Sequence, residues 1–201
     1  MIKIGLTGAP GTGKTESAKI LSQLGASVIY ADLINRELYK QGHSGYKAVL
    51  DTFGREILCE NDHIDRHVLA QKVFSDPAER KKLEKAVWPI MAQEIRNRFS
   101  LMETRGAKIA VLEAAVLFEA GWDLFIDEVW TITAPKILTV KRLKESGQMG
   151  PRSVQARNMA QLGTKEKIRR SHRVISNDND IENLRYEIKV AWLEVIKNIP
   201  K

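Results

Sequence analysis

Residues 8–15, GAPGTGKT, have the types and spacing of a loop that binds the phosphates of a nucleotide. They match the pattern G-x-x-x-x-G-K-[ST], in which glycines let backbone N–H groups converge on phosphate oxygens. The lysine of this pattern reaches the β- and γ-phosphates, and its last hydroxyl can bind Mg²⁺. The residues that we predict to bind the nucleotide are Gly8, Gly11, Thr12, Gly13, Lys14, Thr15 and Glu16. Among them, Lys14 is the predicted catalytic cation and Thr15 the direct Mg²⁺ ligand.

The sequence on either side supports this interpretation of the loop. Residues 2–7, IKIGLT, have the composition of a buried strand, and residues 15–24 have apolar side chains at helical spacing. A helix that begins directly after the loop adds free N–H donors and an aligned dipole, and both favour bound phosphate. The alternative is an ordinary glycine-rich turn between a strand and a helix, which the complete pattern in this context disfavours.

Short apolar runs rich in β-branched residues recur along the chain and predict five strands. They occupy residues 3–7, 27–31, 108–112, 128–133 and 173–176. Longer segments with apolar residues at helical spacing lie between them. This alternation predicts an α/β fold, a doubly wound and mainly five-stranded parallel sheet with helices on both faces. In such folds the site lies at the carboxyl ends of the strands, where the phosphate loop, Asp32 and Glu113 all fall.

No internal repeat, low-complexity tract or linker interrupts the chain, so we predict a single domain over residues 1–201. Its predicted core comprises about 1–32, 107–140 and 173–201. The interval of about 33–106 is too long for one crossover and predicts a helical insertion. Residues of about 141–172 are rich in Lys and Arg. This charge is either a solvated helical face or a lid over a nucleotide, and its position before the last strand favours the lid.

The composition limits which classes of binding partner and which cellular compartment we expect. The formal net charge of +7 predicts an anionic partner, and nucleic acid, phospholipid or a nucleotide would each satisfy it. A single cysteine, Cys59, excludes an intrachain disulfide framework and indicates a reducing compartment. Strand-like sequence begins at Ile2, and no apolar run reaches about 18 residues, so we expect neither a targeting peptide nor a membrane span. We therefore expect a cytoplasmic protein.

Two other classes of nucleotide-binding protein fit the sequence less well. A GTPase switch needs D-x-x-G after a second strand and N-K-x-D after a later one. Residues 51–54, DTFG, match the first string inside the helical interval, and residues 177–180, NDND, lack the lysine of the second. An ATPase that acts on nucleic acid would need stacking platforms, whereas the aromatic fraction is 6% and is not interleaved with basic residues. A small-molecule kinase that uses ATP is the better prediction.

Five groups of segments, in order along essentially the whole chain, resemble the dephospho-CoA kinase family, including the kinase half of the bifunctional CoA synthases. The segments are IGLTG (4–8); LGA and VIYAD (24–26, 28–32); FGREIL, IDRHVL and VF (53–58, 64–69, 73–74); WPI and VLFEAG (88–90, 116–121); and VKRL, RNMAQ and VISN (140–143, 157–161, 174–177). The phosphate loop alone is shared by many families. The second, fourth and fifth groups are much more specific.

This resemblance implies a P-loop fold like that of nucleoside monophosphate kinases, with a helical insertion for the acceptor and a lid. It also implies phosphorylation of the ribose 3′-hydroxyl of dephospho-CoA, with ATP as donor and Mg²⁺ as cofactor, giving CoA in the last step of its synthesis. ATP and dephospho-CoA are then the partners, and neither a membrane nor nucleic acid is expected. Nothing in the sequence predicts the oligomeric state.

The resemblance further implies roles for residues outside the phosphate loop. Asp32 would be a catalytic residue that accepts the proton of the attacking hydroxyl, although Asp is also a favoured helix N-cap. Arg142, as a catalytic cation, and Arg157, as an ATP-binding residue, would neutralise the triphosphate. Asn177 would lie beside the adenine edge, although Asn is also an ordinary turn former.

Two carboxylates near the third strand are candidates for the metal site. Glu113 could hold a Mg²⁺-bound water from the end of that strand. Glu119 lies farther along the chain and could instead cap a helix or pair nearby. The sequence does not rank them.

The chain departs from the family pattern at four positions. Tyr30 replaces the first of two paired aspartates, and Trp88 replaces a histidine, as in the eukaryotic branch of the family. Ala115 replaces a proline, and Ser146 replaces a lid arginine. Two alternatives therefore stay open beside the main prediction. One is a P-loop kinase for another hydroxyl acceptor, such as a nucleoside, nucleotide or metabolite, and the other is a nucleotide-binding protein with reduced catalysis.

Overall fold

The computed structural model describes residues 1–145 and 161–197. The chain divides into two compact units, one made of residues 1–29 with 101–201 and the other of residues 30–100. Arg157 and Ser146, which the sequence analysis singled out, lie outside the described residues.

The first unit is built on a five-stranded sheet with the order β2-β3-β1-β4-β5. The strands are β1 (Ile2–Thr7), β2 (Ser27–Tyr30), β3 (Ile109–Glu113), β4 (Glu128–Thr133) and β5 (Arg173–Ser176). β1 runs parallel to both β3 and β4, and β4 runs parallel to β5. The predicted α/β fold with a five-stranded parallel sheet is confirmed, and each strand lies within one residue of its expected bounds.

Helices cover this sheet because its central strands are apolar on both faces. β3 is buried along its whole length, and β1 is buried from Ile4 onward. The described helices of this unit are α1 (Lys14–Gln23), α6 (Lys136–Glu145), α7 (Thr164–Arg170) and α8 (Ile181–Lys197). α1 packs against α8 and β3, α7 against β4, and α8 against β5. A short 3₁₀ turn, Trp122–Phe125, precedes β4.

The second unit is helical. Its elements are α2 (Ala31–Leu38), α3 (Ser44–Phe53), a 3₁₀ turn (Arg55–Ile57), α4 (Arg66–Ser75) and α5 (Pro77–Thr104), whose last residues belong to the first unit. Asp65 caps α4 by accepting hydrogen bonds from the amides of His67 and Val68. Arg98 of α5 pairs with Glu37 of α2 at 2.6 Å and thereby ties the two helices together.

Among the described residues, every helix is too short or too polar to cross a lipid bilayer.

Candidate active site

The phosphate loop forms the turn between β1 and α1 and can do so only with glycine at particular positions. Gly8 has φ 150°, and a Cβ on it would lie 2.4 Å from the carbonyl oxygen of Ile132 in β4. Gly13 has φ 97°, and a Cβ there would lie 2.3 Å from the side-chain nitrogen of Asn177. Both backbone conformations are open to glycine and strained for other residues. The loop is therefore packed closely between β4 and the end of β5.

Lys14 is held inside this loop. It is the first residue of α1 and is 8% exposed. Its Nζ donates a hydrogen bond to the carbonyl of Ala9 at 3.1 Å, and Thr12 Oγ1 donates to the same carbonyl at 2.8 Å. The N-cap residue of α1, Gly13, offers no side-chain cap for the amides of the first turn. A buried ammonium beside these amides is an environment that favours a phosphate anion.

Asn177 and Arg142 fix the loop from the other side. Asn177 is buried just after β5, and its Nδ2 donates to the carbonyl of Thr12 at 2.8 Å. Arg142, in the last turn of α6, donates from Nη2 to Asn177 Oδ1 at 3.3 Å and also to the backbone carbonyls of Asn177 and Asn179. Asn177 was predicted for the adenine edge, and its contact with the phosphate loop was not foreseen.

These side chains surround a pocket of about 220 Å³. The residues that line it are Gly11, Gly13, Lys14, Thr15, Glu16, Arg142 and Leu143. Thr15 is exposed there, and Glu16 pairs with Lys19 at 3.2 Å. The structure thus brings most of the predicted nucleotide-binding residues to one place. Two cationic side chains, Lys14 and Arg142, thus line one small pocket, together with the Glu16 carboxylate that Lys19 pairs with.

A second cavity, of about 300 Å³, lies on the other part of the loop. Ala9, Pro10 and Thr12 line it, together with residues of α6 and residues 161–164. Its lining is predominantly apolar. The phosphate loop therefore has space on two sides, one cationic and one apolar.

The two candidate carboxylates are in different environments. Glu113, the last residue of β3, is buried, and it pairs in register with Leu6 of β1. Glu119 is also largely buried, but Lys167 Nζ lies 3.2 Å from its Oε1, and the amide of Leu162 donates to the same oxygen at 2.7 Å. Glu119 thus forms an ion pair with Lys167, and pairing of this kind was the alternative to a metal-binding role for Glu119. The buried Lys167 was missed by the sequence reasoning, because one lysine in a basic run gives no sign of burial.

Asp32 belongs to the helical unit. β2 ends at Tyr30 and α2 begins at Ala31, so Asp32 lies in the first turn of α2 rather than at a strand end. Tyr30 is the N-cap and makes no side-chain cap hydrogen bond. The alternative role of Asp32 as N-cap is therefore wrong, because the helix begins at Ala31, two residues earlier than that role requires. The carboxylate is exposed.

No group of three or more His, Cys, Asp or Glu side chains that could hold a metal ion occurs within residues 1–145 and 161–197. Mg²⁺ does not require such a group, since it keeps several waters and is usually bound through one or two protein oxygens together with substrate phosphates. The Thr15 hydroxyl and the Glu113 carboxylate are oxygen donors of the kind that suits this ion.

The parallel sheet, the glycine turn after β1 and the cationic pocket at the start of α1 define a P-loop kinase. Comparison with known families gives the particular one. The dephospho-CoA kinase family matches residues 2–183, which is most of the chain. The chain belongs to the dephospho-CoA kinase family and is a kinase that transfers phosphate to an alcohol group. The family's reaction is the last step of coenzyme A synthesis.

Individual relatives cover nearly the whole chain. The dephospho-CoA kinase of Moorella thermoacetica is 33% identical over 200 residues, which cover 99% of this chain and 94% of that protein. The dephospho-CoA kinase of Carboxydothermus hydrogenoformans is 35% identical over 185 residues, covering 92% and 90%. The crystal structure of TT1252 from Thermus thermophilus has a TM-score of 0.81 at 29% identity and covers 96% of this chain and 97% of its own.

Proposed function

We propose that this chain uses ATP to phosphorylate the ribose 3′-hydroxyl of dephospho-CoA, giving CoA and ADP. The proposal rests on the pocket at the glycine turn, which both Lys14 and Arg142 line. The chain that carries this pocket belongs to the dephospho-CoA kinase family. Phosphoryl transfer needs mainly positioning and neutralisation of charge, and this pocket supplies both.

The phosphate loop binds the triphosphate of ATP. Backbone amides of Gly11, Gly13 and the first turn of α1 donate to phosphate oxygens, and Lys14 moves its ammonium from the Ala9 carbonyl to the β- and γ-phosphates. Arg142 stabilises the charge that redistributes as the γ-phosphoryl group leaves ADP. Asn177 keeps the loop in shape through its hydrogen bond to Thr12 and lies beside the adenine.

Mg²⁺ would bind the Thr15 hydroxyl directly and Glu113 through a water, and it would supply further neutralisation of the triphosphate. This assignment follows from the oxygen donors at the start of α1 and at the end of β3. It leaves Glu119 out of the metal site, because that carboxylate is paired with Lys167.

The helical unit binds the acceptor, and Asp32 is its general base. The oxygen of the 3′-hydroxyl attacks the γ-phosphorus, its proton passes to the Asp32 carboxylate, and the bond from the γ-phosphorus to the bridging oxygen of ADP breaks. The exposure of Asp32 leaves the carboxylate accessible to a substrate hydroxyl.

The basic region of about 141–172 covers the bound nucleotide as a lid. Arg142 of this region lines the nucleotide pocket, and Arg157, which lies outside the described residues, is assigned a second cationic role from the family resemblance alone. We further infer a cytoplasmic location and no nucleic-acid partner, since the net charge of +7 is accounted for by polyanionic substrates.

The test is an acceptor panel. The protein is incubated with Mg-ATP and, in separate reactions, with dephospho-CoA, nucleosides and nucleoside monophosphates, and ADP is followed. Formation of ADP with dephospho-CoA and little with the other acceptors is the expected result. Equal or faster ADP formation with another acceptor would overturn the proposed substrate, and tight ATP binding without turnover on any acceptor would overturn the proposed activity.

A further inference from the structure

A buried ion pair lies outside the nucleotide pocket. Lys167 in α7 has a side chain only 1% exposed, and Glu119 in the loop after β3 has one 10% exposed. The Nζ of Lys167 is 3.2 Å from Glu119 Oε1, and it also donates to the backbone carbonyl of Ala115. None of these three residues lines the cationic pocket.

Filling this volume with an ion pair has a high desolvation free energy. Removing an ammonium and a carboxylate from water costs several kcal/mol for each ion, which the attraction between them only partly offsets. Burial accordingly lowers the pKa of Lys167, and the nearby Glu119 opposes this lowering. An apolar side chain of similar length would fill the same volume without that cost. What the pair adds is a set of directional hydrogen bonds.

On one side, those hydrogen bonds reach the root of the phosphate loop. The Ala115 carbonyl that accepts from Lys167 also accepts from Thr7 Oγ1 at 3.4 Å. Thr7 is the last residue of β1 and directly precedes Gly8. Lys167 is therefore two hydrogen bonds away from the strand that presents the loop.

On the other side, they reach the wall of the apolar cavity. Glu119 Oε1 accepts a hydrogen bond from the Leu162 amide at 2.7 Å. Leu162 lines the cavity of about 300 Å³ that Ala9 and Pro10 of the phosphate loop also line. Further along the chain, Ser171 Oγ donates to the Lys167 carbonyl at 2.7 Å and holds the end of α7 in place. The ion pair thus connects two segments that border the same cavity.

We propose that Lys167 and Glu119 are positioning residues for phosphoryl transfer, which hold residues 161–164 at a fixed place relative to the phosphate loop through Ala115 and Leu162. The kinetic part of this inference rests on the proposed function. Neither side chain borders the nucleotide pocket, so both act through the backbone that they hold. Fixing that backbone before the reaction reduces the reorganisation needed during transfer.

Three substitutions test the proposal. Lys167→Met removes the ammonium and keeps the length of the side chain, whereas Glu119→Gln keeps an acceptor for the Leu162 amide and removes only the charge. Lys189→Met is the control, because it makes the same substitution at an exposed helical position outside the basic region of about 141–172. For Lys167→Met we expect kcat with dephospho-CoA to fall about 10- to 100-fold while KM for ATP changes less than about threefold. Glu119→Gln should lower kcat less than Lys167→Met does, and Lys189→Met should match wild type.

Hydrogen exchange at the Leu162 amide gives a second readout, measured where thermal melting shows each variant to be folded. The Leu162 amide should exchange faster in Lys167→Met than in wild type, and at the wild-type rate in Lys189→Met. The double variant Lys167→Met/Glu119→Gln should lose no more kcat than Lys167→Met alone, because the pair acts as one unit. A Lys167→Met variant with kcat within about twofold of Lys189→Met would overturn the kinetic role. Unchanged exchange at Leu162 would overturn the positioning itself.

The two proposals fail separately. If wild-type protein does not phosphorylate dephospho-CoA, the proposed function is wrong, and the Leu162 exchange rates still decide whether the ion pair holds this segment. If wild type is active and the exchange of Lys167→Met is that of wild type, the proposed function stands and the positioning role does not.

Discussion

Lys14 shows how one side chain prepares this site for phosphate. Its ammonium is almost fully buried, and the Ala9 carbonyl that it contacts also accepts a hydrogen bond from Thr12. These two hydrogen bonds hold the loop around the Ala9 carbonyl. A hydrogen bond from an ammonium to a neutral carbonyl is weaker than one to a charged phosphate oxygen. We therefore expect a bound triphosphate to replace the Ala9 carbonyl as the partner of Lys14.

Replacing Lys14 by alanine should abolish most of the activity. We expect Lys14→Ala to lower kcat by about 10² to 10³-fold or more, because a group aimed at charge in the transition state is lost. ADP formation measures the rate, and circular dichroism checks the fold. Lys19→Ala, an exposed lysine of the same helix, is the control and should stay near wild type. Near-normal turnover of Lys14→Ala with intact ATP affinity would contradict the assignment of the loop.

We expect Asp32 to contribute strongly to the rate of phosphoryl transfer and little to ATP affinity. We expect Asp32→Asn to lower kcat by about 10² to 10⁴-fold, the usual contribution of a general base, while the Kd for ATP stays within about twofold. Single-turnover kinetics and equilibrium ATP binding measure the two quantities. Asp51→Asn, an exposed carboxylate in the same helical unit, controls for the loss of charge. Equal losses in rate and in ATP affinity would indicate a structural role for Asp32.

The residues that were predictable are those whose role depends on local sequence. The pattern of residues 8–15 lies in one turn, and each of its positions has a local reason. The N-cap alternative for Asp32 failed because a helix boundary is hard to fix to the residue from sequence. Lys167 was not recognised because its burial depends on Ala115 and Glu119, about 50 residues away along the chain.

At the scale of elements, Asn177 joins the end of β5 to the phosphate loop. We expect Asn177→Ala to lower the free energy of unfolding by about 1–3 kcal/mol, because the Thr12 carbonyl and the Arg142 guanidinium lose a buried partner. The Kd for ATP should rise as the loop loses its fixed shape. Denaturant unfolding and calorimetric titration measure the two effects. Asn179→Ala is the control, since Arg142 contacts only the backbone carbonyl there. Unchanged stability and ATP affinity would contradict this role.

The ion pair between Glu128 of β4 and Arg173 of β5 should make the free energy of unfolding depend on pH. Burial raises the pKa of the Glu128 carboxyl, but hydrogen bonds from Arg173 and Trp130 outweigh it and hold the pKa below its ordinary value. The folded state then binds this proton less tightly than the unfolded state, so the contribution is present above the ordinary pKa of 4.5 and is lost as the pH falls through the lowered value.

Glu128→Gln tests this contribution. At neutral pH the substitution should lower the free energy of unfolding by about 1–2 kcal/mol, and the difference from wild type should narrow below pH 4.5. Urea unfolding at a series of pH values measures it, with the exposed carboxylate of Glu60→Gln as control. A difference that stays constant with pH would show that the carboxyl is not responsible.

The strands were predictable as elements, whereas their contacts were not. Apolar β-branched runs placed all five strands to within one residue, because such runs are short and sharply bounded. α6 begins at Lys136, before the start of the basic region of about 141–172 that was predicted from the sequence. The hydrogen bond from Asn177 to Thr12 joins residues 165 apart, and no local pattern indicates such a contact.

For the whole molecule, the alternation of strands and helices predicted the class of fold, and the order of the strands had to come from the structure. β1 lies in the middle of the sheet between β3 and β4, and it carries the phosphate loop at its carboxyl end. This position surrounds the loop with elements from distant parts of the chain, including α6 and the end of β5. The net charge of +7 suits a protein whose two proposed substrates are polyanions.

In the proposed function, the triphosphate of ATP lies in the turn between β1 and α1. A crystal structure with bound ATP and magnesium, or with a non-hydrolysable analogue, measures this directly. We predict that the β- and γ-phosphates accept hydrogen bonds from the amides of the phosphate loop and from Lys14 Nζ, with the Arg142 guanidinium beside them. A nucleotide bound in another cleft, with this turn left empty, would contradict the account.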